Sequence, residues 1–388
     1  MATAATSNSS DINPRLYMSM ELGGKQWKLG FTIGMAQKAR RRAISACDMG
    51  AVEAEIVRAK QRFGLSATAE VCSCYEAGPD GFWIHRSLEA SGIKNFVVDS
   101  ASIEVDRRKR RAKSDGLDVD SLLRQLIRHL NGERKALRIV RVPPPEIEDW
   151  RQLHRDLETL KAERTAMRNR IQSLLATQGR KLKRWDAVAK ELEGMKLRSG
   201  SKLGEQLKQR LLRESQRLEL VAQQIKDLKK QQLEILRTPA KADDPPWVTM
   251  IRRLEQLRGI GVTSAWILVL EAFAWRDFSN RRQVGAIVGL TPTPYQSGTT
   301  AYEQGISKAG NVWMRKVSVQ LAWLWLRWQP ASASAKWFRR FSNSKRQRRT
   351  GVVGVARRLM IDLWRYTCKD EIPPGAVLSG DAAIKMAA

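Results

Sequence analysis

Leu16-Tyr17-Met18-Ser19-Met20-Glu21-Leu22-Gly23-Gly24-Lys25-Gln26-Trp27-Lys28-Leu29-Gly30-Phe31-Thr32-Ile33 reads as a β-hairpin. Strands are expected over Leu16 to Glu21 and Trp27 to Ile33, joined through Gly23-Gly24, a turn that needs glycine's conformational freedom. Working outward, a third short strand is expected at Ala43 to Cys47 and a helix over Val52 to Phe63. A strand at Ala69 to Tyr75, a helix over Gly81 to Ser91 and a strand at Asn95 to Val98 follow. A last helix starts at Ser114, its expected N-cap. Acids stand at the element ends: Glu21 closes the first strand, Glu76 follows the fourth, and Asp115 and Asp118 lie three apart on one face of the last helix. Two carboxylates facing the same way repel unless a cation lies between them, and a hard divalent metal removes that cost. The bland alternative for Asp115 and Asp118 is that helix N-termini favour acids. Asp48, Asp80, Asp99, Asp106 and Asp120 read as turn or surface residues.

Three strands, helix, strand, helix, strand, helix is the order of ribonuclease-H-like (RuvC-like) nucleases, whose metal-binding acids come from the first strand, the end of the fourth and a late helix. Glu21, Glu76, Asp115 and Asp118 occupy those places. A basic run, Arg107, Arg108, Lys109, Arg110, Arg111 and Lys113, leads straight into Asp115. Basic charge beside paired carboxylates suits metal-assisted phosphodiester chemistry. A solvated basic face is the alternative.

Composition points the same way. Of 388 residues, 69 are Lys or Arg and 40 Asp or Glu, a formal net charge of +29 spread along the chain, which implies a polyanionic partner, nucleic acid before membrane. Cys47, Cys72, Cys74 and Cys368 have no paired metal-ligand spacing and His85, His129 and His154 are scattered, so a Cys/His zinc site is not expected, and a reducing compartment is. Residues 1–14 read as a disordered N-terminus without a signal-peptide pattern, and the longest apolar run, Val317 to Leu326, is too short to span a bilayer.

Pro143-Pro144-Pro145 ends the first domain, expected over residues 15–142. Within 146–238, Leu153, Leu157, Leu160, Met167, Ile171 and Leu174, then Leu207, Leu211, Leu218, Val221, Ile225 and Leu228, recur at heptad steps. They predict two coiled-coil helices, folded back as a hairpin or paired between subunits. A second linker, Ala240 to Pro246, precedes a mainly helical domain over 247–370 and a tail over 371–388. Leu257-Arg258-Gly259-Ile260-Gly261-Val262 before an apolar helix from Thr263 to Phe273 has the shape of a helix-hairpin-helix, with Gly259 and Gly261 letting backbone N–H groups approach a phosphate. An ordinary glycine turn is the alternative. Gly289 to Gly298 reads as a loop in which Ser297, on its residues alone, is unremarkable. Lys308, Arg315, Lys316, Arg339, Arg340, Lys345 and Arg346 suit contact with a nucleic-acid backbone. Trp323, Trp325, Trp328, Trp337 and Trp364 read as core, with room for one or two exposed rings to stack on bases.

As an ordered set, Met20-Glu21, Tyr75-Glu76-Ala77-Gly78, Lys113-Ser114-Asp115 with Asp118, Leu257-Arg258-Gly259-Ile260-Gly261, Gly289-Leu290-Thr291-Pro292, Gln296-Ser297-Gly298 and Lys308-Ala309-Gly310-Asn311 resemble a known family. It is that of insertion-sequence transposases with an N-terminal DEDD RuvC-like domain and a C-terminal Transposase_20 domain, the bridge-RNA-guided serine recombinases. The resemblance covers Leu16 to Tyr366. It implies that Glu21, Glu76, Asp115 and Asp118 bind Mg2+ (or Mn2+) and that Ser297 is the nucleophile joined covalently to DNA during strand exchange. It implies double-stranded DNA and an element-encoded noncoding guide RNA as partners, dimers assembling to tetramers, and a bacterial cytoplasmic, nucleoid-associated location. Glu21 stands where many relatives have Asp. The fold expected is thus α/β plus α: a ribonuclease-H-like N-terminal domain, a coiled-coil connector and a mainly helical C-terminal domain. The competing functions are a RuvC-like structure-specific endonuclease without a covalent intermediate, and an inactive nucleic-acid-binding protein.

Overall fold

The computed structural model describes residues 15–103, 115–239, 243–298 and 300–379, giving the backbone alone for Asp115 to Asp118. The basic run from Arg107 to Lys113 and residues 1–14 lie outside the described residues. The chain falls into two compact units, 1–142 and 143–388.

The first unit is a five-stranded sheet between helices. In chain order its elements are β1 (Leu16–Leu22), β2 (Gln26–Thr32), β3 (Arg40–Ser45), α1 (Met49–Arg62), β4 (Val71–Glu76), α2 (Trp83–Ala90), β5 (Lys94–Val98) and α3 (Asp115–Leu130). The strands lie in the order β3-β2-β1-β4-β5; β1 to β3 form an antiparallel meander, and β4 and β5 run parallel to β1. Alternation along β1 divides the core. Leu16, Met18 and Met20 pack with Val52, Ile56, Ile84 and Leu88 of α1 and α2, whereas Tyr17 packs with Cys72, Cys74, Leu122 and Leu126 under α3. Asp48 caps α1, its Oδ1 accepting from the Ala51 N–H at 2.8 Å. The third strand lies three residues earlier than the sequence predicts. Arg40, Arg41 and Arg42 hide it: among the described residues β3 has β2 alone as a strand neighbour, and its run of charged side chains, Arg40 tucked against Glu55, shows no apolar alternation.

The second unit begins with α4 (Pro145–Ala176), which Pro145 starts at the one helical position where its missing N–H costs nothing. The short α5 (Val188–Glu193) and the long α6 (Glu205–Arg237) follow. Leu157 and Leu160 meet Val221 and Ile225, while Ile171 and Leu175 meet Leu211 and Leu218, so the two heptad helices pair antiparallel within one chain. Arg170 ties them further, Nη1 donating to Glu214 at 2.8 and 3.0 Å.

Beyond the second linker come α7 (Pro246–Glu255), α8 (Val262–Leu268), which runs into a π-helical turn Val269–Phe273, and α9 (Arg281–Ile287). Then follow β6 (Pro292–Ser297), β7 (Thr300–Ile306), α10 (Val312–Trp328), α11 (Ala333–Phe341) and α12 (Lys345–Lys369). Trp247, Trp266, Trp325, Leu359 and Leu363 are buried in one core with α8 and its π-helical extension at its centre. One expectation is corrected. Residues from Pro292 to Ser297 are not a loop but one arm of an antiparallel hairpin; its prolines are tolerated because a two-stranded ribbon leaves outer N–H positions unpaired. The segment after Lys369 is held against the unit as far as Ser379: the Gln329 amide both donates to Val377 O (2.8 Å) and accepts from Val377 N (2.7 Å), beside Arg258.

Candidate functional site

In the first unit two of the expected acids, Glu21 and Glu76, lie near the C-terminal ends of the neighbouring strands β1 and β4. Met20 of β1 lies opposite Tyr75 of β4 in the parallel register, so Glu21 and Glu76 follow at the same level on neighbouring strands, which run about 4.8 Å apart. Both belong to the α3 face, by the alternation that turns Tyr17 and Ser19 of β1 and Cys72 and Cys74 of β4 that way. Glu21 is half-buried and Glu76 exposed. Helix α3 is pinned there. Ser19 Oγ, fully buried, donates to Val119 O at 2.8 Å, and Gly30 leaves the space that the Val119 and Leu123 side chains fill. The first turn of α3, with Asp115 and Asp118, therefore precedes a residue anchored on β1 two positions before Glu21. Among the described residues no three acids, histidines or cysteines form a metal-binding group, and the side chains of Asp115 and Asp118 are not among them. Two of the acids read as surface residues are engaged elsewhere: Asp120 takes two bonds from Arg41, and Asp99 pairs with Arg138.

In the second unit Ser297 ends β6 and is exposed at the tip of the hairpin, opposite Thr300. Gly298 turns the chain at φ +57°. On the same face two residues back, Tyr295 and Tyr302 pair across the strands with ring centroids 4.9 Å apart, both exposed; sequence reasoning missed this pair. The hairpin's base is closely meshed. Lys308 N donates to Gly289 O (3.1 Å), Asn311 N to Ile287 O (2.7 Å), and Ser307 N to Thr291 O (2.9 Å). Arg315, read as a nucleic-acid contact, spends Nη1 on Lys308 O and Ala309 O, and Lys316 pairs with Glu158 at 2.5 Å. Lys308, Arg339, Arg340, Lys345 and Arg346 are exposed.

The helix-hairpin-helix glycines differ from each other. Gly259 has φ +97°, and a Cβ there would meet Trp328 Cβ at 3.1 Å, so the turn packs on that ring; Gly261 faces open space. Trp328 is half-exposed between the guanidiniums of Arg258 and Arg327, 5.3 and 5.1 Å from its centroid. Trp323 is also exposed, whereas Trp325 and Trp364 are core.

A polar cluster that sequence reasoning did not find lies inside this unit. Glu271, fully buried in the π-helical turn, accepts from Arg151 Nη2 (2.6 Å), His154 Nε2 (2.9 Å), Arg155 Nε (3.0 Å) and Asn311 Nδ2 (2.7 Å). Burial pushes its carboxyl up, but the bonds from His154, Arg155 and Arg151 overcome that and hold it well below the usual carboxylate range. Burial drives His154 the other way, below its ordinary 6.5, against the pull of Glu271. His154 Nδ1 is buried without a hydrogen-bond partner, which fits a neutral ring whose proton sits on Nε2. The unfolded chain then binds a proton that the folded one refuses. The stability His154 contributes is complete above about pH 6.5 and is lost as pH falls below it, by at most about 1.4 kcal/mol per pH unit. Urea unfolding of the wild type minus that of His154→Gln between pH 5 and 7.5 is expected to isolate this slope from other groups.

The family model for transposases of the IS116/IS110/IS902 family matches residues 251–337, which hold Glu271, Ser297 and Asn311. Over 381 residues the sequence is 36% identical to the protein y4rJ of Sinorhizobium fredii (strain NBRC 101917 / NGR234), which bears the name of a transposase, with 94% of each chain covered. The chain belongs to the IS116/IS110/IS902 transposase family. A second Sinorhizobium fredii protein named as a transposase, y4qE, is 28% identical over 320 residues, 80% of this chain and 73% of that one. The transposase of insertion sequence element IS1328 from Yersinia enterocolitica is 29% identical over 170 residues, 44% and 48% of the two chains. Membership of the IS116/IS110/IS902 family makes this a DNA-processing protein, and no described helix is long and apolar enough to cross a membrane.

Proposed function

We propose that this transposase is an RNA-guided DNA recombinase that works through a serine–DNA covalent intermediate, with a RuvC-like first unit. The observation that carries the reading is the setting of Ser297: an exposed hydroxyl at the tip of a hairpin whose base is locked, so that it can reach a phosphodiester while its approach stays fixed. In the reaction the Ser297 oxygen attacks phosphorus as its proton passes to solvent, one P–O bond to the serine forms, one to a deoxyribose oxygen breaks, and that oxygen takes up a proton to leave as the free sugar hydroxyl. Because the phosphodiester count is unchanged, the broken strand keeps the energy needed for rejoining.

A serine hydroxyl needs activation, and no histidine lies near it in sequence. Glu21 and Glu76, near the ends of adjacent parallel strands on the face that α3 covers, are the residues that would hold a divalent ion, with Asp115 and Asp118 of the first turn of α3. Mg2+ or Mn2+ held there would lower the pKa of a bound hydroxyl and offset charge developing on phosphate. Exposed Arg339, Arg340, Lys345 and Arg346, and the Arg258–Trp328–Arg327 stack, offer contact to nucleic-acid backbone and bases. The family resemblance supports the noncoding RNA, with base pairing choosing donor and target, and assembly to tetramers.

The test is covalent trapping. The full chain is incubated with Mg2+, element-end DNA and the flanking noncoding RNA, then run on a denaturing gel beside Ser297→Ala and Asp118→Ala. A DNA-linked band in the wild type that both substitutions abolish is expected. Cleavage without such a band, indifferent to Ser297→Ala, would replace this reading with a hydrolytic endonuclease.

A further inference from the structure

The Glu271 cluster is not one that strand exchange by Ser297 and a metal site requires, yet it joins the long helical hairpin to the base of the serine hairpin. Its donors from α4, Arg151, neutral His154 and Arg155, lie on one face of that helix, and Glu158 continues the face one turn on, accepting from Lys316 of α10. From the other side Asn311 donates its Nδ2 to Glu271, while its Oδ1 caps α10 by accepting from Met314 N at 3.0 Å. Asn311 closes the Lys308-Ala309-Gly310-Asn311 segment, which leaves β7 and bonds back to Gly289 and Ile287. An unbroken series of hydrogen bonds therefore runs from α4 through Glu271 and Asn311 to the root of the strand pair that carries Ser297. Glu271 itself lies in a π-helical turn, an irregularity of the kind that recurs at functional sites.

We propose that Glu271 is a positioning residue: it sets the placement of the Ser297 hairpin from the seating of α4, so that the α4–α6 arm and the nucleophile move as one. A simple core ion pair would need one cation. Here four residues from two directions share one buried carboxylate, and one of them is the cap of the helix that follows the hairpin. Removing the negative charge leaves Arg151 and Arg155 facing a neutral group and frees Asn311 from its orienting acceptor. The hairpin's base then loosens while the backbone fold around it can persist. What this means for catalysis rests on Ser297 being the nucleophile; the mechanical link does not.

Hydrogen–deuterium exchange on the full chain tests the link without any activity. In Glu271→Gln, amides within 289–311 are expected to exchange about tenfold faster, the scale of one lost charge-assisted hydrogen bond, with residues 16–98 unchanged. Arg155→Gln alters α4 alone, at a partly exposed site, and is expected to speed the same amides about threefold, so the test survives if Glu271→Gln does not fold. Unchanged exchange in 289–311 with either folded variant would overturn the proposal, as would acceleration spread evenly through 246–369. In the trapping reaction Arg155→Gln is expected to lower adduct formation at saturating DNA about threefold with unchanged DNA affinity. Hairpin loosening together with wild-type cleavage that leaves no adduct would leave the link standing and remove the serine mechanism; loosening with undiminished adduct would overturn the positioning role.

Discussion

Glu76→Gln is expected to reduce metal-dependent DNA cleavage on the order of a thousandfold while leaving DNA affinity nearly unchanged. The substitution keeps size and hydrogen-bonding shape but removes the charge. Glu76 is exposed at the end of β4, so little fold stability depends on it. If it holds a divalent ion with Glu21, its loss forfeits several kcal/mol of charge stabilisation at the reacting phosphate, and each 1.36 kcal/mol is tenfold in rate. Calorimetric titration of Mn2+ into the full chain supplies a readout independent of turnover, and tight binding by the wild type that Glu76→Gln loses is the expected pair of results. Equal Mn2+ binding by both chains would remove Glu76 from the metal site. Glu21→Gln is the companion: it lies at the same level on the adjacent strand and should behave alike.

The second large effect is structural. Gly310→Ala is expected to destabilise the second unit by about 3–5 kcal/mol, at the upper end of single substitutions. Its φ is +87°, a region that costs an L-residue about 1–2 kcal/mol, and a Cβ there would sit 2.3 Å from Ile287 O and 2.9 Å from Ala286 O. Those are backbone atoms at the end of α9, and they cannot swing aside without breaking the Asn311 N to Ile287 O bond. Gly289 is equally constrained from the other side, with Ala309 O 1.9 Å from the added carbon. Gly298 is the control. It too has positive φ, +57°, but nothing lies within 4 Å, so Gly298→Ala should cost only the backbone preference, about 1–2 kcal/mol. Denaturant midpoints for the three alanine variants measure this difference; equal losses at Gly298 and Gly310 would show that the hairpin's root is not the rigid part.

Much of the first unit was legible because its signals are local. Apolar alternation in β1 and the Gly23-Gly24 turn mark the meander, and acids at strand ends stand out against apolar neighbours. The β3 position was displaced because its charged run carries no apolar alternation to mark it. Pro292 and Pro294 disguised β6, since proline argues against a central strand and says nothing against an isolated ribbon. Glu271 left one trace: an acid within the apolar helix read from Thr263 to Phe273, which a buried position tolerates only when paired. Its partners are 40 to 120 residues away along the chain, and no local pattern links them. The antiparallel pairing of α4 with α6 is also a tertiary fact, because a heptad repeat states that a helix has a partner and leaves open which one.

The ordering of the sheet has a further effect on how copies of this protein behave beside one another. A strand with an unpaired side is an invitation for another chain to extend the sheet. On the β5 side the Ile139–Val140 segment covers it, bridging Val98 and donating Val140 N to Val97 O at 2.7 Å. On the β3 side stand three successive arginines, Arg40 and Arg42 paired with Glu55 and Arg41 with Asp120; three cations against two acids leave that edge net positive, so an identical strand drawing near would meet like charge. Among the described residues, both edges of this sheet thus disfavour strand-to-strand pairing between molecules crowded on one stretch of DNA.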